Sequence, residues 1–196
     1  MKKIVSLLFI ILFGFFTKLF AEDSKSIKRI SEGTESAKIT IIAYESLTCG
    51  HCADFHKNIY PNLKKDFIDK GLVKIEFRHF PLDIAAFNAS KIGQCNNDGK
   101  SEVLHALFSG QKKWARGKTP EEATKYLKEF LEDEGVNVDF EKCINDKNIE
   151  DYVLNDRIEG VKKFKVNATP TIIINEKKFE KALNYKNIKI YLEKLL

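Results

Sequence analysis

Long apolar segments are scarce in this chain of 196 residues. The longest predominantly apolar run covers residues 4–16, which is thirteen residues, whereas a membrane-spanning helix needs about 20. The sequence also has no internal repeat and no low-complexity tract. These absences argue against a spanning helix, a repeat architecture and a disordered chain, and a hydrophobic content of 43% is ordinary for a globular protein.

Excess charge is nearly absent as well. The formal net charge of the whole chain is +5, and Lys2, Lys3 and Lys18 contribute three of those positive charges from the N-terminal segment. Without these lysines the net charge falls to +2. A nearly balanced charge gives no argument for nucleic-acid binding, so we expect no nucleic-acid partner.

The N-terminal segment has the pattern of a secretory signal peptide. Lys2 and Lys3 precede the apolar run, and Ala21 offers a small residue for cleavage before an acidic pair. We therefore expect residues 1–21 to be removed on export and the mature protein to work in the periplasm. An uncleaved tether to the inner membrane is the alternative.

Cysteine is scarce, with four in the chain. Cys49 and Cys52 form a close pair, whereas Cys95 and Cys143 lie 48 positions apart. Structural zinc sites usually offer a second close-spaced pair of ligands, so this spacing argues against zinc, although Cys52 and His56 could share a metal. We expect neither a metal nor an organic cofactor.

The close cysteine pair follows a predicted strand and begins a predicted helix. Residues 39–44 are β-branched and aromatic, which is typical of a strand. After Cys49 the apolar positions recur every three or four residues, as in a helix packed on a sheet. These positions are Cys52, Phe55, Ile59, Leu63 and Phe67. Cys49 is therefore expected at a helix N-terminus.

The start of a helix favours an anionic sulfur at Cys49. Unpaired N–H groups and a macrodipole of about half a positive charge stabilise a thiolate there, and His51 can add a positive charge or an N–H donor. Each pKa unit below the value of a free thiol corresponds to about 1.4 kcal/mol. Three residues of helix bring Cys52 within disulfide reach and leave Cys49 as the outer, attackable sulfur. The pattern predicts a redox-active disulfide.

The rest of the chain predicts an α/β fold in three parts after the signal peptide. Residues 22–82 and 166–196 carry the strands, and residues 83–165 form an inserted helical subdomain. The predicted strands are 39–44, 72–80, 171–175 and 179–183, and the first two should pair in parallel around a crossover helix. The predicted helices are 52–69 with a kink at Pro61, 84–97, 101–117, 120–134, 148–164 and 186–196.

The helical insertion is expected to have a core of its own. Five aromatic residues can furnish it, namely Phe108, Trp114, Tyr126, Phe130 and Phe140. Cys95 and Cys143 both fall in the insertion and would close a loop of 49 residues, which stabilises by roughly 4 kcal/mol in the chain-entropy model. We predict a structural disulfide between them, with two buried, unbonded thiols as the alternative.

Two separated motifs support a resemblance to a known family. Cys49-Gly50-His51-Cys52 lies at a strand–helix junction, and Thr169-Pro170 precedes a late apolar strand, with helices inserted between them. Over about residues 36–196 the chain resembles the DsbA-like thiol:disulfide oxidoreductases of the thioredoxin superfamily. The resemblance implies an α/β, thioredoxin-like fold with a large helical insertion between the second and third core strands.

The resemblance also implies roles for individual residues. Cys49 would be the nucleophile, Cys52 the resolving cysteine and His51 the thiolate stabiliser. Pro170 would be a cis proline beside the disulfide, and the backbone at Thr169 would pair with an extended substrate segment.

Three positions depart from patterns of the family. Gly50 replaces the proline of the best-known oxidants, and Thr169 precedes the proline as in bacterial disulfide isomerases. The strand carboxylate found in many relatives is replaced by Ala43, with Glu45 two residues further along the strand. Glu45 could accept the proton of Cys52, but we expect a partly exposed carboxylate at the strand end.

The expected function is that of a periplasmic oxidant of protein thiols. Its partners would be reduced exported proteins as substrates and an inner-membrane protein that reoxidises it, and we expect a monomer. A disulfide isomerase or reductase of the same fold is one alternative, and a non-catalytic chaperone or binding module is another.

Overall fold

The computed structural model describes residues 26–196 of the protein. The predicted signal peptide and its cleavage after Ala21 lie outside the described residues. Among residues 26–196, none of the helices combines the length and the apolar character that a membrane crossing requires.

A five-stranded mixed sheet forms the centre of the molecule. Its strands are β1 (Ser31–Glu32), β2 (Ile39–Glu45), β3 (Val73–His79), β4 (Thr171–Ile174) and β5 (Lys177–Lys178), in the spatial order β1-β3-β2-β4-β5. β2 and β3 pair in parallel, and all other neighbours are antiparallel. The predicted parallel pair around a crossover helix is therefore confirmed.

The crossover between β2 and β3 is a helix of alternating type. It runs as α1 (Gly50–Asp54), a π-helical turn (Phe55–Ile59), α2 (Tyr60–Leu63) and a second π-helical turn (Lys64–Ile68), and we call residues 50–68 the crossover helix. Pro61 falls in the first turn of α2, where its missing N–H is tolerated. The wider π turns on both sides accommodate the irregularity that the sequence predicts as a kink.

Six helices form the insertion and one more ends the chain. They are α3 (Ile84–Gln94), α4 (Glu102–Ser109), α5 (Gln111–Trp114), α6 (Pro120–Asp133), α7 (Phe140–Asn145), α8 (Lys147–Phe164) and the terminal α9 (Tyr185–Glu193). Side-chain caps mark several starts, as when Asp83 accepts from the N–H of Ala86 at 2.7 Å. Thr119 caps α6 with Pro120 at the first helical position, and the Thr-Pro-Glu-Glu sequence of residues 119–122 is the sequence signature of such a start.

Both faces of the sheet are covered. The larger core lies between the sheet, the crossover helix and the insertion, and it contains Ile41 and Ala43 of β2 together with Trp114 of α5. The opposite face buries Ile42 and Tyr44 with residues of α8 and β4. The expected separate core for the insertion is wrong, because its buried aromatic residues join the core under the sheet.

Alternation along β2 decides which side chains face the crossover helix. Ile41 and Ala43 point into the larger core, so Glu45, two residues further, points the same way. On the other face α8 packs so close to the sheet that a Cβ added to Gly160 would lie 2.8 Å from the ring of Tyr44. This packing fixes the end of β2 from which the candidate site begins.

The predicted strand 179–183 is wrong. The strand that pairs with β4 is Lys177–Lys178, because Asn175 (φ 45°) and Glu176 (φ 66°) adopt the left-handed conformation and reverse the chain within two residues. From the sequence, residues 175–178 are predicted as a four-residue turn, which places the pairing strand too late. The two-residue strand β1 was likewise not predicted, because residues 22–36 are mainly polar and were expected to be an extended lead-in.

The predicted helix 101–117 is divided at Gly110. A Cβ at this position would lie 2.1 Å from the ring of Phe130 on α6, so the close approach of the two helices requires glycine here. The short helix α7 was missed, since its six residues show too little periodicity to be recognised.

Candidate functional site

A short connection joins the end of β2 to the start of the crossover helix. Cys49 is the last residue before that helix and has an extended backbone (φ −77°, ψ 118°). Its carbonyl accepts hydrogen bonds from the N–H groups of Cys52 at 3.1 Å and Ala53 at 3.2 Å. The sulfur of Cys49 therefore stands at a helix N-terminus, as the apolar stripe after it predicts.

A buried glutamine from the insertion holds this connection in place. The side-chain amide of Gln111 donates to the carbonyl of Leu47 at 2.8 Å and to the carbonyl of Cys49 at 2.9 Å. Sequence reasoning missed Gln111, because it lies 62 positions from Cys49 and belongs to no local motif. The insertion therefore helps to build the site rather than only covering it.

Several donors converge on the sulfur of Cys49. Hydrogen bonds from the Cys52 thiol first, then from Thr169 and from the backbone N–H groups of Cys52 and His51, lower the pKa of Cys49 from 9.0 to about 5, although partial burial opposes them. As a thiol, Cys49 donates to the carbonyl of Thr169 at 3.3 Å. The Thr169 hydroxyl is buried without a partner among residues 26–196, so it can donate to the thiolate.

The second sulfur of the pair has the opposite environment. Cys52 is 0% exposed, and its burial first, then its hydrogen bond to Cys49 and the charge of Glu45, raise the pKa of Cys52 far above the ordinary value. Cys49 and Cys52 are not bonded to each other in this structure. The arrangement is therefore that of a dithiol with one ionised outer sulfur and one protonated inner sulfur at neutral pH.

His51 contributes to the site through its backbone. Its N–H is one of the donors that lower the pKa of Cys49, whereas its imidazole is exposed and makes no hydrogen bond within residues 26–196. A direct role of the imidazole in stabilising the thiolate stays a prediction.

A groove opens beside the cysteine pair. It has a volume of about 510 Å³, and the Thr169–Pro170 peptide bond on its wall is cis. Its lining residues are His51, Asp54, Phe55, Asn58, Ile59, Thr169, Pro170, Leu183, Asn184 and Tyr185. We call it the Pro170 groove. Its wall includes His51 of the cysteine motif and Thr169 and Pro170, the residues predicted for substrate binding, and Thr169 contacts the sulfur of Cys49.

Glu45 corrects an expectation from the sequence. It is 4% exposed, so the predicted partly exposed carboxylate is wrong: the alternation of β2 turns its side chain towards the crossover helix. One carboxylate oxygen lies 2.9 Å from Nε2 of His56, and the other is buried without a partner in the described chain. His56 lies four residues after Cys52, on the buried side of the helix, and that position was the available signal.

The remaining predicted residues lie in the insertion. A disulfide joins Cys95, at the end of α3, to Cys143 of α7, with Cα atoms 5.4 Å apart.

His56, on the crossover helix, uses both ring nitrogens in hydrogen bonds, one to Glu45 at 2.9 Å and one to His105 at 3.0 Å, rather than sharing a metal with Cys52. Across residues 26–196, no group of three or more His, Cys, Asp or Glu side chains is arranged to hold a metal ion.

Comparisons with known proteins agree with this architecture. A family model described as thioredoxin matches residues 25–194. The crystal structure of alpha-DsbA1 from Wolbachia pipientis superposes with a TM-score of 0.75 and 30% sequence identity, covering 85% of this chain and 90% of that one.

Curated relatives are similar at lower identity. A putative protein-disulfide oxidoreductase of Rickettsia bellii is 29% identical over 150 residues, which is 73% of this chain and 55% of the relative. Disulfide bond formation protein D of Bacillus subtilis is 28% identical over 177 residues, covering 84% of this chain and 75% of the relative. The chain therefore spans about half the length of the rickettsial relative.

Proposed function

Because the chain belongs to the DsbA-like branch of the thioredoxin superfamily, we propose that it is a thiol:disulfide oxidoreductase that introduces disulfides into exported proteins. The observation that carries this proposal is that two neighbouring thiols differ in exposure and in pKa. Cys49 is partly exposed with a pKa of about 5, whereas Cys52 is fully buried and its pKa is raised. Such a pair offers one sulfur to a substrate and keeps the other as an internal partner.

The reaction begins from the form in which Cys49 and Cys52 are bonded. A substrate thiolate attacks the sulfur of Cys49, a mixed disulfide forms, and Cys52 leaves as a thiolate that takes up one proton. A second substrate thiolate then attacks the substrate sulfur of the mixed disulfide, and Cys49 leaves as a thiolate. The substrate has lost two electrons as a new disulfide, and the enzyme has gained them as a dithiol.

The low pKa of Cys49 favours oxidation of the substrate over the reverse reaction. A thiol with a low pKa is a good leaving group, which accelerates the release of oxidised substrate. The interactions that stabilise the Cys49 thiolate exist only in the reduced enzyme, so they stabilise the dithiol relative to the disulfide. Stabilising the reduced form makes the enzyme a stronger oxidant.

The Pro170 groove is suited to an extended protein segment. Phe55, Ile59 and Pro170 give it an apolar wall next to the reactive sulfur, and backbone groups at Thr169 can pair with a substrate strand beside β4. Main-chain pairing recognises many sequences, as an oxidant with varied substrates requires.

The compartment and partners follow from the predicted leader. Export of residues 22–196 to the periplasm would place the cysteine pair where disulfides persist. An inner-membrane protein would then reoxidise the dithiol, and the protein would act as a monomer without a metal or organic cofactor.

Oxidation of reduced ribonuclease, compared with repair of its scrambled-disulfide form, tests the direction of the reaction. We expect efficient oxidation and poor repair by the oxidised protein. Efficient repair with poor oxidation would instead support an isomerase, the alternative that Gly50 and Thr169 favour. Cys49→Ala should lose the cellular effect of the protein; if that effect persists, a chaperone or binding module is the better description.

A further inference from the structure

Four titratable side chains form a hydrogen-bonded line that begins at Glu45, near the end of β2, and ends at the partly exposed Glu32. We infer that His56 and His105 relay protons between Glu45, which serves the buried Cys52 thiol, and Glu32 at the partly exposed end of the line. The inference rests on the proposed exchange reaction, because that reaction requires Cys52 to gain a proton in one half-cycle and lose it in the other.

Burial of Cys52 creates the need for a relay. The side chain is 0% exposed, so its thiolate cannot take a proton directly from bulk water when it leaves the disulfide. Glu45 follows Ala43 on the face of β2 that packs in the same core as Cys52. After burial and the hydrogen bond to Cys49, the charge of Glu45 also raises the pKa of Cys52, but Glu45 is itself only 4% exposed. A proton must therefore pass through a further group to reach this pair.

Three short contacts supply that passage. Glu45 Oε2 lies 2.9 Å from His56 Nε2, His56 Nδ1 lies 3.0 Å from His105 Nδ1, and His105 Nε2 lies 2.8 Å from Glu32 Oε1. Each distance is that of a direct hydrogen bond. Side-chain exposure is 4% at Glu45 and 6% at His56 but 27% at His105 and 15% at Glu32, so the outer half of the line reaches water.

The contact between the two imidazoles fixes the number of hydrogens that the line holds. One hydrogen must lie between the two Nδ1 atoms, because a nitrogen pair at this distance needs one donor and one acceptor. If both carboxylates are ionised, each Nε2 also carries a hydrogen, and the two rings share one positive charge. If Glu45 takes the hydrogen of His56 Nε2, both rings become neutral. Three hydrogens satisfy the three contacts in either state.

A proton can therefore move along the line without breaking it. In the forward half-cycle Glu45 gives a proton to the Cys52 thiolate and takes the proton of His56 Nε2 in its place. His105 then gives a proton to His56, and Glu32 passes to His105 one proton taken from water. When Cys52 is reoxidised, the same steps run in reverse and one proton is released. The unpartnered oxygen of Glu45 is the one left to exchange with Cys52.

The surroundings of the line keep its outer carboxylate ionised. Although burial opposes them, hydrogen bonds from His105, Ser101, Tyr60 and Lys64 hold the pKa of Glu32 well below its usual value. Lys64 forms an ion pair with Glu32 at 2.9 Å and balances its charge. Glu32 is therefore ionised at rest, when it accepts the N–H of His105, and it carries the moving proton only in passing.

Neighbouring groups leave few other routes. The ring of His56 stacks on Phe108 with centroids 4.0 Å apart, and the rings of Phe55, Tyr60 and Phe77 lie around it. His79 on β3 is another buried histidine near Glu45: burial lowers its pKa, and the charge of Glu45 is among the causes that oppose this. The ring of His79 is hydrogen-bonded to Gln94 at 3.2 Å, so it is not a member of the line. These aromatic rings exclude water from the inner part of the path, at His56.

The decisive experiment follows the reaction of the oxidised protein with a small thiol by rapid mixing, across pH and in H₂O and D₂O. His105→Gln keeps a hydrogen-bonding side chain but cannot pass a proton, and His105→Ala leaves a space open to solvent. We expect both variants to react roughly 100-fold more slowly than the wild type at neutral pH, and added imidazole to restore the rate of His105→Ala.

His79→Gln is the matched control, because it removes another buried histidine near Glu45 without breaking the line. Its rate should match the wild type and should not respond to imidazole. The relay is refuted if the wild type oxidises reduced ribonuclease and folded His105→Ala, without imidazole, reacts with the small thiol as fast as the wild type does. Failure of the wild type to oxidise reduced ribonuclease would refute the proposed function instead. Ribonuclease oxidation and the response of His105→Ala to imidazole are separate measurements, so the two failures can be told apart.

Discussion

Cys49 and Cys52 lie at the start of a helix beside a groove, whereas Cys95 and Cys143 join two helices of the insertion. The first pair is separated into an ionised outer sulfur and a protonated inner one. The second pair is already a disulfide, and a further hydrogen bond from Lys91 to the carbonyl of Ile144 at 2.6 Å holds the same junction. The same residue type is thus set up for exchange in one place and for cross-linking in the other.

The contrast between the two pairs shows that the role of a cysteine pair is set by what surrounds each sulfur. At the first pair, helix N–H groups and Thr169 favour one thiolate while burial disfavours the other. At the second pair, Cys143 is fully buried, and neither Cys95 nor Cys143 lines the Pro170 groove. Reactivity should therefore be confined to the first pair and stability gained chiefly from the second.

The largest difference between the pairs should appear on removal of the outer sulfur. Cys49→Ser should abolish oxidation of reduced ribonuclease, because no accessible thiolate remains to form the mixed disulfide. Cys95→Ala combined with Cys143→Ala should retain oxidation within a few-fold of the wild type. Comparable loss of oxidation in both variants would end the distinction drawn here.

Removal of the second disulfide should have the larger effect on folding. Cys95→Ala with Cys143→Ala is expected to lower the free energy of unfolding by about 2–4 kcal/mol, since it releases a long closed loop in the unfolded chain. Denaturant unfolding of this variant and of Cys49→Ser measures the effect. Equal destabilisation by the two changes would contradict the assignment.

Acidification should weaken the reduced protein more than the oxidised one. The folded pKa of Cys49 is about 5 and its ordinary value is 9.0, so the thiolate contributes its full stabilisation above about pH 9 and loses it as the pH falls through about 5. The melting temperature of the dithiol form should therefore fall relative to that of the disulfide form over this range. Cys49→Ser should show no such difference; if it does, the pH effect comes from another group.

The smallest effect is expected at Gly50. A side chain there would meet open space, and the first helical position suits proline after the extended backbone of Cys49. The donors that lower the pKa of Cys49 are the Cys52 thiol first, then Thr169 and the N–H groups of Cys52 and His51, and Gly50→Pro keeps all of them. Stability should change by no more than about 1 kcal/mol, and a pKa change above about one unit would show that the N–H of Gly50 matters.

Local sequence patterns were enough to predict the strand and the helix that position the site. The β-branched run before Cys49 and the apolar stripe after it specify a strand and a helix, and the parallel pairing follows from the single crossover between β2 and β3. These elements depend on periodicity within about 20 residues, which a single sequence displays. The outer sulfur of the site could therefore be located from its neighbours in the sequence alone.

The line from Glu45 to Glu32 could not be predicted in the same way. Its four members come from β2, the crossover helix, α4 and β1, and only tertiary packing brings them together. Polar residues on four segments look like ordinary surface positions in sequence, as the wrong expectation for Glu45 illustrates. The turn over residues 175–178 was predicted two residues too long for a different reason, because the left-handed backbone that closes it at Asn175 and Glu176 is uncommon outside glycine.

The pKa of Cys49 is the quantity on which the proposed exchange reaction depends most directly. Thiolate absorbance of the reduced wild-type protein, followed from acid to alkaline pH beside Cys49→Ser, measures it. We predict one ionisation with a midpoint near 5 that is absent in the variant. A midpoint near the ordinary thiol value of 9.0 would contradict the proposal.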